Sequence, residues 1–244
     1  GKNNIMKIAV IGAMEEEITF LKGELSNLNE VEIFPYVFYT GKIGNIDVVL
    51  VRSGIGKVAS GALFSSLVTH FNDVDVVINV GVSGGIKDLT KTGDIVVSEK
   101  LLYSDADVTV FGYRYGQMAK CPECFYGNKE LIGFLSENGF DFKKGTILTG
   151  DTFATDYEYV DKLCKKYFSN DNVLAVDMES TAFAQMAYVY NKRYLAIRAI
   201  SDVIGETSQV EGHESSLDYA SVKSNKFLLA LLNLLDKKVF TFNS

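Results

Sequence analysis

The chain has 244 residues, 47% of them apolar and 23% charged, with two prolines and a formal net charge of −7. That size and composition exclude a disordered or collagen-like chain and allow a core that needs no disulfide staples. The acidic balance, with lysines scattered apart from short pairs such as Lys143–Lys144, argues against a nucleic-acid binder, whose affinity rests on clustered Lys and Arg.

Residues 1–5 form a polar run and read as a tag or leader remnant; residues 1–244 as a whole read as one domain. Lys7 to Ile11 reads as a buried first strand ending at Gly12, with Glu15, Glu16 and Glu17 in the first turn of a helix. Tyr36 to Thr40 and Ile43 to Arg52 surround Gly41 and Gly44, which predicts a hairpin. A helix follows Gly56, with Val58, Ala62, Leu63, Leu67 and Phe71 on one face. Val74 to Val80 predicts another buried strand, left through Gly81-Val82-Ser83-Gly84-Gly85. Asp94 to Ser98, Thr146 to Thr149, Val173 to Val176 and Tyr194 to Ile200 complete the strands. Met178, Ala182, Met186 and Val189 share a helical face after Asp177, and Leu217 to Leu235 is a long helix with an apolar face. Strands alternating with helices predict a mixed α/β sheet covered on both sides. The longest apolar stretch, Phe227 to Leu235, is interrupted by Asn233 and falls far short of the roughly 20 residues that span a bilayer. The expected protein is soluble, with no membrane partner; no secretory pattern is visible, so the expected location is the cytoplasm.

Two loops resemble nucleotide cradles and fail on spacing. Ser53-Gly54-Ile55-Gly56-Lys57 has Val51 and Val58 where a phosphate loop needs a glycine and a hydroxyl. Gly81 to Gly85 follows a strand but lacks the dinucleotide spacing. Cys121 and Cys124 form C-P-E-C in a Gly- and Tyr-rich loop. With only Cys164, His70 and His213 elsewhere, they read as a plain loop rather than a zinc or redox site. No metal and no cofactor is expected.

Four segments sit beyond predicted strands: Gly12–Glu17, Gly81–Gly85, Val176–Glu179 and Arg198–Asp202. If those strands are neighbours, their ends converge on a crevice with several carboxylates, one arginine and apolar walls from Met14, Ile55, Phe153 and Met178, a small-molecule pattern. Each residue also has a plainer reading. Glutamates at helix starts complement the helix dipole, Asp202 could cap a helix or turn, and Phe153 and Met178 could be core. Arg198, in an apolar strand, needs a buried partner in any reading, and Glu179 is the natural candidate.

At these positions the sequence resembles the 5′-methylthioadenosine/S-adenosylhomocysteine nucleosidases of the purine nucleoside phosphorylase-like superfamily. The matching segments are I-G-A-M-E-E-E at 11–17, S-G-I-G-K-V-A at 53–59, G-D-I-V-V-S at 93–98 and D-A-D-V-T-V-F-G-Y at 105–113. G-D-T-F at 150–153, V-D-M-E at 176–179 and R-A-I-S-D at 198–202 continue them in order. The resemblance implies a three-layer αβα fold and a homodimer that cleaves the N-glycosidic bond of adenine thionucleosides, with a role in methionine salvage. It implies Asp202 as the acid that protonates adenine N7, kept protonated near neutral pH by burial and neighbouring carboxylates. It implies Glu17, ionised, as the base that activates water against an oxocarbenium-like sugar. Glu179 accepts the ribose hydroxyls with Arg198 alongside, Met178 packs on the sugar and Phe153 stacks on adenine. The Ala154 main chain reads the adenine edge, and Gly84 admits the ligand close to the backbone. Met14 and Ile55, with Val108, Phe111 and Tyr113 of a second subunit, line the slot for the 5′-alkylthio tail.

Two departures stand out. Many members of the family it resembles carry a small hydroxyl residue directly after the first glycine of the Gly-rich segment, where this chain has Val82, with Ser83 one step later. Near Gln117 relatives carry a proline, where this chain has Met118-Ala119. The rival readings are a purine nucleoside phosphorylase or futalosine hydrolase on the same fold and, from another class, a non-catalytic nucleoside sensor or surface adhesin. Phosphorolysis needs a cationic or N–H-rich phosphate site; three glutamates after the first strand suit water instead.

Overall fold

In the computed structural model, residues 6–206 and 213–243 are described, with the backbone alone for 213–216; the expected tag or leader remnant at residues 1–5 lies outside the described residues. In chain order the elements are β1 (Lys7–Gly12), α1 (Glu15–Glu24), β2 (Ser26–Ile33), β3 (Tyr36–Ile43), β4 (Ile46–Arg52), α2 (Lys57–His70), β5 (Val76–Gly85), β6 (Ile95–Tyr103) and β7 (Phe125–Tyr126). They continue as α3 (Lys129–Glu137), β8 (Lys143–Thr149), α4 (Tyr157–Tyr167), β9 (Val173–Asp177), α5 (Ser180–Tyr190), β10 (Arg193–Val203) and α6 (His213–Lys237).

The strands form one mixed sheet in the order β10-β6-β8-β9-β5-β1-β4-β3-β2, with β7 on β6. β10 also pairs with β5, so the first five strands in that order close on themselves and the rest extend outward from β5. β5 is therefore the hub. β1 runs parallel to it over Val76–Val80, β10 runs parallel over Val76–Gly85, and β9 pairs antiparallel with Gly84 and Gly85. The four segments singled out in the sequence thus end on strands joined through β5.

Burial follows the strand alternation. Ala9, Ile11, Val77 and Ala196 pack toward α2 and α5, whereas Ile8, Val10, Ile78 and Ile197 pack toward α1, α3 and α6. Helices on both faces of a mixed sheet give the expected α/β layering. In α6, Leu228, Leu231, Leu232 and Leu235 bury one stripe at helical spacing, each worth roughly 1.5–3 kcal/mol relative to exposure. Leu231→Ala is the kind of change that breaks it, at about 2–5 kcal/mol. A third cluster lies under α4, with Leu163 packed beside Leu148, Phe168 and Val173.

Several boundaries differ from the sequence reading. The hairpin turns at Gly44, whose φ is +58°, while Gly41 lies inside β3. β2 was not expected: its residues are mostly exposed and polar, so it lacks the apolar alternation that marks a strand. The Gly81–Gly85 segment is not a loop after a strand but the second half of β5, because β10 pairs with it throughout. Arg198 to Asp202 likewise lies within β10, so Asp202 is neither a helix cap nor a turn residue; a bulge between Ile200 and Asp202 re-aims the chain there. α3 and α4 were also not expected. Val58 is 85% exposed and Val189 is exposed, so neither belongs to its helix's buried face. C-P-E-C lies in a loop before β7, and Cys121, Cys124 and Cys164 are free thiols. Among the described residues no helix is long and apolar enough to cross a membrane.

Candidate active site

A cavity of about 170 Å³ opens where β5, β9 and β10 meet. Its lining includes Ile55, Val82, Ser83, Gly84, Phe153, Ala154, Met178, Glu179, Ser201 and Asp202. Seven residues singled out in the sequence are thereby brought together: Ile55, Gly84, Phe153, Ala154, Met178, Glu179 and Asp202. Glu17, Arg198 and Met14 are not in that lining. Val108, Phe111 and Tyr113 lie elsewhere on the chain, in an irregular segment where Phe111 is 77% exposed.

Arg198, although outside that lining, organises a buried polar network that reaches the site through Glu179. Its guanidinium is 1% exposed. It donates through Nη1 to the Val82 carbonyl (2.9 Å), through Nε to Ser180 Oγ (3.2 Å) and through Nη2 to Asn79 Oδ1. Two carboxylates supply counter-charge: Asp177 Oδ2 at 3.4 Å and Glu179 Oε1 at 3.7 Å. The sequence reading named Glu179 as the partner; Asp177 is the nearer one. Burial works against the Arg198 charge, but Asp177 and Glu179 hold its pKa above the usual arginine range. Gly81 leaves room for this cation, since a Cβ there would stand 2.7 Å from Nη1. Asp177 is itself held by Thr149 Oγ1 (2.6 Å) and by the hydroxyl and N–H of Ser180, so both members of the ion pair have further hydrogen-bond partners, which offset the cost of burying the charges.

Glu179 sits at the start of α5 and accepts the Gly56 N–H at 3.1 Å. Gly56 has φ +94°, a conformation open to glycine, and its amide is thereby aimed across the site. Burial raises the Glu179 pKa; Arg198 opposes this and Asp177 adds to it. A second polar network ties the surrounding loops. The Lys57 N–H donates to Asp151 Oδ1 (2.9 Å), Lys57 Nζ to Asp105 Oδ1 (2.6 Å) and the Asp151 N–H to Asp105 Oδ2 (3.1 Å). It joins the start of α2 to the segment carrying Phe153.

Glu17 is fully buried, and neither carboxyl oxygen has a hydrogen-bond partner among the described residues. Burial pushes this carboxyl up to about 8 from an ordinary 4.5, against the pull of Arg198 and the Met14 main chain and with added repulsion from Glu16 and Glu179. The sequence reading expected an ionised carboxylate; burial of Glu17 with one cation in range favours the protonated form in the free protein. Asp202 is buried on the cavity wall and accepts from Ser201 Oγ at 2.6 Å.

Sequence reasoning missed Asn79, Ser180, Ser201 and the Lys57–Asp105–Asp151 network. Asn79 left a usable signal, a lone amide inside the apolar run Val76–Val80; its Nδ2 donates to the Ile11 carbonyl, binding β5 to β1. Among the described residues no group of three or more His, Cys, Asp or Glu could hold a metal ion. The cavity can hold a flat ring against Phe153, bind hydroxyls at Glu179 and exchange a proton through the buried Asp202 carboxyl.

Comparison with known proteins gives a consistent result. Residues 7–233 match the family model described as the phosphorylase superfamily. A 5′-methylthioadenosine/S-adenosylhomocysteine nucleosidase of Staphylococcus aureus is 37% identical over 232 residues, covering 93% of this chain and all of that protein. Among solved structures, the nucleosidase of that name from Colwellia psychrerythraea, in complex with adenine, aligns with a TM-score of 0.88 at 36% identity, over 98% of this chain and 99% of that one. The Streptococcus pneumoniae enzyme with a transition-state inhibitor aligns with a TM-score of 0.87 at 38% identity, over 94% of this chain and 100% of that one.

Proposed function

Because this chain belongs to the 5′-methylthioadenosine/S-adenosylhomocysteine nucleosidases of the phosphorylase superfamily, we propose that the cavity at the β5–β9–β10 junction is its active site and that Asp202 and Glu17 are its acid and base. The activity is hydrolysis: the N-glycosidic bond of 5′-methylthioadenosine or S-adenosylhomocysteine is cleaved to adenine and the thioribose product. We read 5′-deoxyadenosine as a further substrate and residues 1–244 as one nucleosidase domain.

Adenine is a poor leaving group as an anion, so its N7 takes a proton from Asp202 as the C1′–N9 bond stretches. The ribosyl fragment becomes cationic, and water attacks C1′ as Glu17 accepts a proton from it. The reactive form is therefore the one whose Glu17 has already released its proton to solvent before the C1′–N9 bond stretches, and the cationic sugar then stabilises the ionised carboxylate. Glu179 accepts the ribose hydroxyls while the Gly56 amide and Arg198 fix it. Met178 packs on the sugar, Phe153 on the adenine ring and the Ala154 main chain on its edge; Gly84 leaves that wall bare. The observation that carries this reading is the convergence of Gly84, Phe153, Met178, Glu179 and Asp202, distant in sequence, on one cavity.

Water rather than phosphate is the proposed nucleophile. Glu15, Glu16 and Glu17 follow β1, and Arg198 is already held by Asn79, Asp177 and the Val82 carbonyl. Exposed Ile55, Val58, Val110 and Phe111 support a homodimer in which Val108, Phe111 and Tyr113 complete the partner's tail slot beside Met14 and Ile55. Three free thiols suit the reducing cytoplasm, and a product that keeps the methylthio sulfur suits methionine salvage.

The test is product analysis with methylthioadenosine, adenosylhomocysteine, 5′-deoxyadenosine and inosine in parallel, with and without phosphate. The expected products are adenine and free thioribose at a phosphate-independent rate. Ribose 1-phosphate products, or inosine as the best substrate, would overturn the reading.

A further inference from the structure

The lining of the cavity contains one buried polar side chain that the proposed chemistry leaves unused. Ser83 is 4% exposed, lines the cavity, and its Oγ has no hydrogen-bond partner among the described residues. The other groups there are engaged: Glu179 accepts the Gly56 amide, Ser201 donates to Asp202, and Asp177 is held from α5 and β8. An unpaired buried hydroxyl is a standing cost to the free protein. It is offset when something that enters the cavity supplies the partner.

Strand geometry places this hydroxyl. Val82 packs against the α1 and α6 side of the sheet. By alternation Ser83 lies on the opposite face, the one Gly81 shares with the Arg198 guanidinium. In register it stands opposite Ile200. Ser201 Oγ stands 2.6 Å from Asp202 Oδ1, to which it donates, and 3.4 Å from the Ser83 carbonyl. Ser83 is thus linked to the proposed acid through Ser201, and both line the cavity.

We propose that Ser83 is a substrate-binding residue of this site, its hydroxyl hydrogen-bonding the bound adenine nucleoside. The inference rests on the cavity being the nucleoside site. A hydroxyl can donate to a purine ring nitrogen or pair with a ribose hydroxyl, and the two are separable by ligand.

Ser83→Ala tests it through two readouts together. Thermal unfolding of the free protein should show a melting temperature equal to the wild type's or higher, since no protein partner is lost. Adenine affinity by calorimetry and kcat/KM for methylthioadenosine should show a loss of about two- to tenfold in one or both. Loss for adenine assigns the bond to the base, and loss for the nucleoside alone assigns it to the sugar. Ser83→Cys, close in size with a weak donor, should fall between. Unchanged values for both ligands would overturn the proposal, as would a fall in melting temperature, which would mark a structural hydroxyl. A wild-type protein that binds adenine yet cleaves nothing would count against the proposed function while leaving the adenine readout of Ser83 intact.

Discussion

Glu17→Gln converts the buried, unpartnered carboxyl of α1 into a neutral amide of nearly the same shape, and its effect on stability should depend on pH. In the wild type, burial carries the carboxyl from 4.5 to about 8. The folded pKa lies above the unfolded one, so the protonated group's contribution is fully present below about 4.5 and is lost as pH rises through about 8. At about 1.36 kcal/mol per pH unit across that interval, the loss approaches 5 kcal/mol. Between pH 5 and pH 8.5 the change is about 4 kcal/mol, and partial relaxation around the charge brings the expected figure to about 2–4 kcal/mol. Glutamine has no such loss. The assay is urea unfolding of both proteins at pH 5 and pH 8.5, read as the change in the variant-minus-wild-type difference, which cancels every other titrating group. The variant should gain about 2–4 kcal/mol on the wild type between the two pH values, or roughly 1 M in midpoint. Parallel behaviour of the two proteins would refute the reasoning, because it would mean that the Glu17 carboxyl is already paired or hydrated in the fold.

The same carboxyl shapes catalysis: a base must be deprotonated, so kcat/KM should climb as pH rises toward about 8, and a flat profile from pH 6 to 8 would contradict the assignment. Asp202→Asn should lower kcat by about 10²–10⁴ while adenine binding stays measurable by calorimetry. Arg198→Met strands Asp177 and Glu179 without their cation. It should cost about 3–5 kcal/mol, seen as a fall in melting temperature of about 6–20 °C.

The core strands were legible because β1, β5 and β10 each contain apolar runs long enough to mark a buried strand. Their ends were not. Gly81 to Gly85 reads as a turn by composition, but those glycines serve a strand: at Gly81 the space a side chain would occupy belongs to Arg198, which approaches from β10, 117 positions along the chain. β2 went unseen because it is an exposed, polar extension of the sheet. In the site, acids and aromatics in recognisable segments could be named from sequence. The environment that sets their charge could not. That Asp177 stands nearer Arg198 than Glu179 does, and that Glu17 is buried without a partner, are facts of three-dimensional packing. Nothing in a run of three glutamates shows which one turns inward.

The most direct test is a crystal structure with an uncleavable 5′-thio adenine nucleoside bound. The Asp202 carboxyl should lie within about 3 Å of purine N7, with Glu17 on the other side of C1′, in contact with the sugar face through a single ordered water. A ligand seated in the cavity with the Glu17 carboxyl walled off from C1′, or with Asp202 turned away from the base, would contradict the account.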